Sequence, residues 1–326
     1  MTGDTAPAPD RVLVTGGAGF IGANLCRALV EEAGVGRVVV LDDLSTGARA
    51  NLEGLPRVEL VEGSILDAAL VAEVTAGSDA VVHLAARASV PRSIEDPVAT
   101  HEANATGTLR VLEAARAAGG VHVVVASSSS VYGANRVLPA HEDLPALPLS
   151  PYAASKLATE AYALAYGHAF DLPVLAFRFF NVFGPLQRAG HAYAAVVPIF
   201  VAAALDGTPL PVHGDGTQTR DFTYVGSVVG VLVEAVRRRV TAPGPVNLAF
   251  GGRASVLELA EALGQVLGRP LPVRHEPSRA GDVRDSQADQ SRLRALFPDL
   301  APVPFEEGLR RTVAWARHAR EATPSP

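Results

Sequence analysis

Arg11-Val-Leu-Val-Thr15 runs straight into Gly16-Gly-Ala-Gly-Phe-Ile-Gly22, and an apolar helical pattern follows from about Ala23 to Glu32. The first five residues read as a buried strand, because consecutive apolar positions suit a strand covered on both faces. Glycines at 16, 19 and 22 give Gly-x-x-Gly-x-x-Gly, one residue wider at the front than the common dinucleotide fingerprint. The physical demand is unchanged. The turn must be tight, the backbone must approach a pyrophosphate, and a helix N-terminus must offer its amides to the anion. A second strand, Arg37 to Leu41, leads into Asp42, about twenty residues on, where a carboxylate can hold the adenosine ribose hydroxyls. That carboxylate would repel a 2′-phosphate, which predicts NAD rather than NADP. An aspartate at a strand end can also simply close a turn.

The alternation continues along the chain. Val58–Val61, Ala80–Leu84 and Val121–Ala126 read as strands, with a helix over 98–116 between the last two. Strands separated by helices predict an α/β fold with a doubly wound parallel sheet. Ligands in such sheets bind at the carboxyl ends of the strands, where Gly16, Asp42, Ala85 and Ser127–Ser130 would converge. The 326 residues, 48% hydrophobic with net charge −6, fit a soluble globular chain with no basic excess for nucleic acid. Arg237 to Arg239 end an expected helix, where positive charge suits the dipole. No apolar run approaches a membrane span of about 18 residues. Cys26 is the lone cysteine, which excludes an internal disulfide or a multi-cysteine metal site. A cytoplasmic protein is expected.

Lys156 is the only lysine in the chain, and it stands four residues after Tyr152 in Pro-Tyr-Ala-Ala-Ser-Lys. A compact ammonium beside a phenol favours the ionised phenol in a way a planar guanidinium does not. Positions i and i+4 share one helix face, so both groups can address one substrate. Tyr152 therefore reads as an acid/base and Lys156 as the group that tunes it. Pro151 suits a helix start just before the pair. A solvated surface pair is the alternative.

Several ordered motifs then resemble the extended short-chain dehydrogenase/reductases, and most closely the UDP-glucose 4-epimerase family. They are Thr-Gly-Gly-Ala-Gly-Phe-Ile-Gly (15–22), Asp-Asp-Leu-Ser-Thr-Gly (42–47), His-Leu-Ala-Ala (83–86), Ser-Val-Pro-Arg-Ser-Ile-Glu-Asp-Pro (89–97) and Asn104-Ala-Thr-Gly-Thr. Ser127 to Tyr132, Tyr152-x-x-x-Lys156, Arg178-Phe-Phe-Asn181-Val-Phe-Gly-Pro and Gly214-Asp-Gly-Thr-Gln-Thr-Arg220-Asp-Phe complete the set.

The resemblance implies a Rossmann domain over residues 11–180, with a return contribution near 220–250, and an interleaved smaller C-terminal substrate lobe over 181–320. It implies tightly bound NAD held by Gly16, Gly19, Phe20, Ile21, Gly22, Asp42, Ser45, Thr46, Gly47, Ser64 and Ile65. Leu84, Ala85, Ala86 and Asn104 would line its pyrophosphate and ribose. Lys156 would bond the nicotinamide ribose and lower the pKa of Tyr152, while Ser128 bonds the sugar 4-oxygen. Ser89 and Ser129 would stand beside the sugar, Asn181 and Arg220 at the diphosphate, and Arg279 and Asp282 at the nucleotide. A homodimer through the helices at about 98–116 and 151–169 is also implied.

The departures bear on substrate. Gly63-Ser64-Ile65 carries a hydroxyl where the family commonly has aspartate, and Ser227 replaces one of an acidic pair, though it could cap the next helix. Ser286 stands where a bulky tyrosine is common in enzymes restricted to simple hexoses. Arg188 resembles the arginine that meets the carboxylate in UDP-glucuronate 4-epimerases, whereas 192–198 looks like the neutral-sugar enzymes. Ser129 and Ser130 occupy the places of the Asp-Glu pair of 4,6-dehydratases. The expected activity is a UDP-sugar 4-epimerase working through a 4-keto intermediate, with no metal because NAD does the redox chemistry. The alternatives are another nucleotide-sugar enzyme of the family, a UDP-glucuronate decarboxylase or a 4,6-dehydratase, or a redox-inert NAD-binding protein.

Overall fold

Runs of β-branched residues with apolar side chains on both sides need helices on both faces, and the chain supplies them in turn. The computed structural model describes residues 9–190, 194–277 and 284–321. It begins with β1 (Arg11–Thr15), α1 (Phe20–Glu31), β2 (Arg37–Asp42), β3 (Val58–Glu62), α2 (Ala68–Thr75) and β4 (Ala80–His83). α3 (Val90–Glu95) and α4 (Pro97–His101) pass through a π-helical turn at Glu102–Thr106 into α5 (Gly107–Ala117). β5 (His122–Ser128), α6 (Pro151–Phe170), β6 (Val174–Phe179) and β7 (Asn181–Phe183) follow. Then come α7 (Val196–Asp206), β8 (Leu210–His213), β9 (Thr219–Arg220), β10 (Phe222–Tyr224), α8 (Val225–Arg237) and β11 (Val246–Leu248). The chain closes with β12 (Ala254–Ser255), α9 (Val256–Leu267), β13 (Val273–Glu276), α10 (Ser291–Leu296) and α11 (Phe305–Glu321).

Seven strands form one parallel sheet in the order β11-β6-β5-β4-β1-β2-β3. The direction of winding reverses between β1 and β4, which lie side by side, so a crevice opens at their carboxyl ends. Period-two alternation divides the core. Val12, Val14, Val38, Val40 and Phe177 join Leu25 and Leu29 of α1 and Val228 and Leu232 of α8 on one face. Leu13, Val39, Leu41, Val81 and Val123 meet Val111 and Leu112 of α5 and Ala163 of α6 on the other. The sheet is the doubly wound Rossmann sheet that the strand pattern predicts. Its last strand, β11, arrives only after the chain has left for a smaller lobe built from three two-stranded pairs, β7/β10, β8/β13 and β9/β12.

Three local expectations differ. β5 runs two residues further than its apolar run, because Ser127 and Ser128 keep pairing with Arg178 and Phe179 of β6. The helix at 98–116 is interrupted at 102–106, where the hydroxyls of Thr108 (2.5 Å) and Thr159 (3.0 Å) compete for the carbonyl of Asn104. Ser227 does not cap a helix. α8 already begins at Val225, and the Ser227 hydroxyl accepts the amide of Val303 at 2.9 Å.

Candidate active site

The β1–α1 turn is built on close backbone approach. Gly16 has φ +72°, and a Cβ there would fall 2.7 Å from the amide nitrogen of Ala85. A Cβ on Gly22 would lie 2.2 Å from the Gly16 carbonyl oxygen. The glycines therefore let α1 and the exit of β4 close on one loop, bringing Gly16, Gly19 and Leu84–Ala86 together. Gly19 heads α1 with no side-chain cap, so the first amides, at Phe20 and Ile21, remain available to an anion.

Asp42 is buried at the end of β2. Its Oδ2 accepts the amide of Ala18 at 2.9 Å and its Oδ1 that of Leu44 at 2.8 Å, so it does close a turn. Each oxygen keeps a further lone pair for a ribose hydroxyl. Burial pushes its pKa up, and those two amides pull it back. Around it, Gly47 packs on Ala18, Ser45 bonds Asp43 at 2.6 Å and Thr46 is exposed. The Ser64 hydroxyl accepts the Leu66 amide at 3.1 Å, and Ile65 is buried against Gly107. Asn104 is a brace: its Oδ1 accepts the amide of Arg87 at 2.8 Å and its Nδ2 donates to Ser155 Oγ at 2.9 Å. It ties the loop after Ala86 to α6.

α6 starts as the sequence predicts, with Pro151 in the first turn and Ser150 accepting the amide of Ala153 at 3.1 Å. Tyr152 hydrogen-bonds Ser128, and Lys156 Nζ donates to the Ala126 carbonyl at 2.7 Å. Ser128 is buried, and its Oγ lies 3.1 Å from Ser130 Oγ, with Ser129 half-buried beside it. Of the two titrating groups, Lys156 is buried and Tyr152 half-buried. Burial brings Lys156 down to about 8. It also pushes Tyr152 above its ordinary value, against the pull of Ser128. The expected lowering of Tyr152 by Lys156 is thus not the net direction in this structure, because desolvation of the phenolate outweighs the neighbours that favour it.

Beyond the sheet edge, Asn181, Gln187, His213, Gln218 and Arg220 line one cavity with Phe222. Two residues assigned to the diphosphate, Asn181 and Arg220, therefore share a wall although 39 positions separate them. Arg188 is exposed on the segment between β7 and α7. Ser89 caps α3, accepting the Arg92 amide at 3.3 Å. Arg279 and Asp282 lie outside the described residues.

Residues 12–249 match the NAD dependent epimerase/dehydratase family. The chain belongs to that family. It is 40% identical over 319 residues to the UDP-glucose 4-epimerase of Mycolicibacterium smegmatis, covering 94% of this chain and 99% of the relative. A probable UDP-glucuronate 4-epimerase of Rhizobium meliloti is 32% identical over 94% of this chain and 96% of its own. Among solved structures, the UDP-N-acetylglucosamine 4-epimerase of Methanobrevibacter ruminantium, in complex with UDP-N-acetylmuramic acid, superposes with a TM-score of 0.89. It is 35% identical and the match covers 95% of this chain and 99% of that one.

For this NAD dependent family member, the turn fits a dinucleotide on its own geometry. A Cβ at Gly16 would fill the approach to Ala85, and uncapped amides face the same crevice. Two features escaped sequence reading. His83 is buried between Thr15 Oγ1 (2.7 Å from Nδ1) and Thr108 Oγ1 (3.0 Å from Nε2), and burial together with Lys156 lowers its pKa to about 3. Thr108 donates its proton to Asn104 O, so it accepts from Nε2–H, which fixes a neutral tautomer. The second is Glu160, whose only signal was its place four residues beyond Lys156. No helix among the described residues is long and apolar enough to cross a membrane.

Proposed function

We infer that the protein is an NAD-dependent nucleotide-sugar 4-epimerase that inverts C4 of a UDP-sugar through a 4-keto intermediate. The carrying observation is Tyr152 hydrogen-bonded to Ser128 on a helix face that also holds Lys156, at the carboxyl end of β5. Tyr152 accepts the proton of the sugar 4-hydroxyl and later returns it, with Ser128 orienting the reacting oxygen. NAD, held at the β1–α1 turn, would supply the hydride chemistry at C4 and a positive charge that favours the phenolate. Asn181 and Arg220 hold the diphosphate, so the keto sugar can turn about its phosphate linkage while the anchor stays fixed. Ser129 and Ser130 supply no acid and base for a 4,6-dehydratase.

The glucose/galactose series is the primary reading, in keeping with the Mycolicibacterium relative. UDP-glucuronate is the second, favoured by Arg188 and by the room left at Ser286. Residues 11–180 with the return near 220–250 form the NAD unit and the interleaved 181–320 segment the substrate lobe. Two copies pair through α6 and the helices at about 98–116, where Val98 (70% exposed) and Tyr162 (41%) leave apolar side chains in water. The cytoplasm is the expected compartment.

Purified protein, with no NAD added, is incubated separately with UDP-galactose, UDP-N-acetylglucosamine and UDP-glucuronate, and products are resolved by proton NMR. A C4-inverted product from one of them is expected and names the sugar. Absence of product from all three, in protein shown to carry NAD, would sink the assignment.

A further inference from the structure

Three successive residues of β5 are fastened to three different turns of α6. The carbonyl of Ala126 accepts Lys156 Nζ at 2.7 Å. The hydroxyl of Ser127 lies 2.9 Å from Glu160 Oε2 and 3.2 Å from the Lys156 carbonyl. Ser128 meets Tyr152. Positions 152, 156 and 160 fall on one helical face, so the seam is a row of rungs. The rung at Glu160 is also locked from a second strand, β6. Arg178, the register partner of Ser127 on β6, presents its fork to Glu160, with Nε to Oε2 at 2.9 Å and Nη2 to Oε1 at 2.6 Å. Both side chains are 4% exposed. The guanidinium also lies 4.7 Å from the ring centroid of Tyr132, whose hydroxyl donates to Asn247 Oδ1 of β11 at 2.6 Å.

A buried ion pair is often no more stabilising than apolar residues of the same volume, so stability alone is a weak reason for this one. Its geometry offers another. Bidentate pairing fixes distance and angle at once, and this pair fixes the height of α6 along β5. We propose that Glu160 and Arg178 are positioning residues, which set the register of α6 against β5 and thereby hold Tyr152 on Ser128 and Lys156 beside the reacting oxygen. The proposal rests on the reading of Tyr152, Lys156 and Ser128 as the reacting constellation. The pair itself touches neither substrate nor cofactor.

The sign of one shift separates positioning from simple charge. Removing the Glu160 carboxylate, and leaving Arg178 positive, would by electrostatics alone lower the Tyr152 pKa. Loosening Ser128 from the phenol would raise it. The ionisation of Tyr152 is isolated by ultraviolet pH titration of the NAD-bound protein, each variant being measured with and without Y152F. E160Q is expected to move the midpoint upward by about half a unit or more. In turnover it lowers kcat about tenfold or more with KM within about twofold. E160M/R178M carries no buried unpaired charge and keeps a melting temperature near the wild type; the same upward shift is expected there. A midpoint that is unmoved or lower in both variants would overturn the proposal, whatever happens to stability. Full activity of Y152F alone would instead overturn the catalytic reading, and the titration would still report on positioning.

Discussion

The glycine turn after β1 and the seam between β5 and α6 hold the two halves of one site by opposite means. In the turn, specificity comes from what is missing. Gly16 and Gly22 leave room for backbone to pass within contact distance of backbone, and the anion site is made of amides. In the seam, it comes from side chains in a dry interface, where Lys156, Glu160, Arg178 and Ser127 are each bonded across elements far apart in sequence. The turn is a local device that tolerates no added atom. The seam is a long-range device that tolerates no lost partner. Substitutions should therefore fail in different ways at the two places.

The largest contrast is chemical. Tyr152→Phe removes one hydroxyl from the seam and nothing from the turn. Its expected loss is about 10²- to 10⁴-fold in kcat, the usual range for a missing acid/base, with NAD content and melting temperature near wild type. Turnover within a few-fold of the parent enzyme would mean that some other group moves the proton.

The turn breaks by addition. Gly22→Ala places a methyl 2.2 Å from the Gly16 carbonyl, with backbone on both sides and no flexible side chain to yield. Overpacking of that kind costs about 1–3 kcal/mol, and here it also moves the loop that faces the dinucleotide. The purified variant is expected to lose most of its NAD, judged by the cofactor released on denaturation, while wild-type protein retains it. Full retention would show that the turn is softer than its contacts imply.

The same contrast explains what could be read from sequence. Gly16, Gly19, Gly22 and Asp42 lie within 27 positions of one another, and their roles follow from local spacing. The strand alternation likewise placed the sheet, because β1, β2 and β4 are apolar on both faces. The pair Tyr152 and Lys156 was legible because a helix repeats every four residues and the chain has no other lysine. Glu160 and Arg178 gave no such signal, since their partnership depends on β5 and β6 being neighbours in register. Asn104 was placed at the cofactor by resemblance, and its amide also bonds Arg87 and Ser155. Ser89 and Ser64 each accept a local amide, a contact that residue type alone does not reveal. Asn181 and Arg220 came together only through the pairing of β7 with β10.

The smallest expected effect is the one that separates function from stability within the seam. The folded pKa of Lys156 is about 8, against 10.5 for the free side chain. Between those values the unfolded chain holds a proton that the folded protein has shed, so stability rises with pH across that window. Below it the folded state carries the whole desolvation cost of the ammonium, on the order of 3 kcal/mol. Lys156→Met removes that cost and also leaves the Ala126 carbonyl without its donor, an opposing penalty of about 1–3 kcal/mol that does not depend on pH. Urea unfolding of both proteins, compared at the two ends of the window, isolates the lysine. The advantage of wild type over the variant is expected to grow with pH. An unchanging difference would mean that Lys156 is hydrated in the folded protein, and the seam would then be an open surface. In the glycine turn Asp42 is pushed up in pKa and draws the opposite slope, and His83 beside the turn, lowered to about 3, shares the sign only below its ordinary value of 6.5. The turn and the seam can thus be distinguished by a stability curve alone, before any sugar is added.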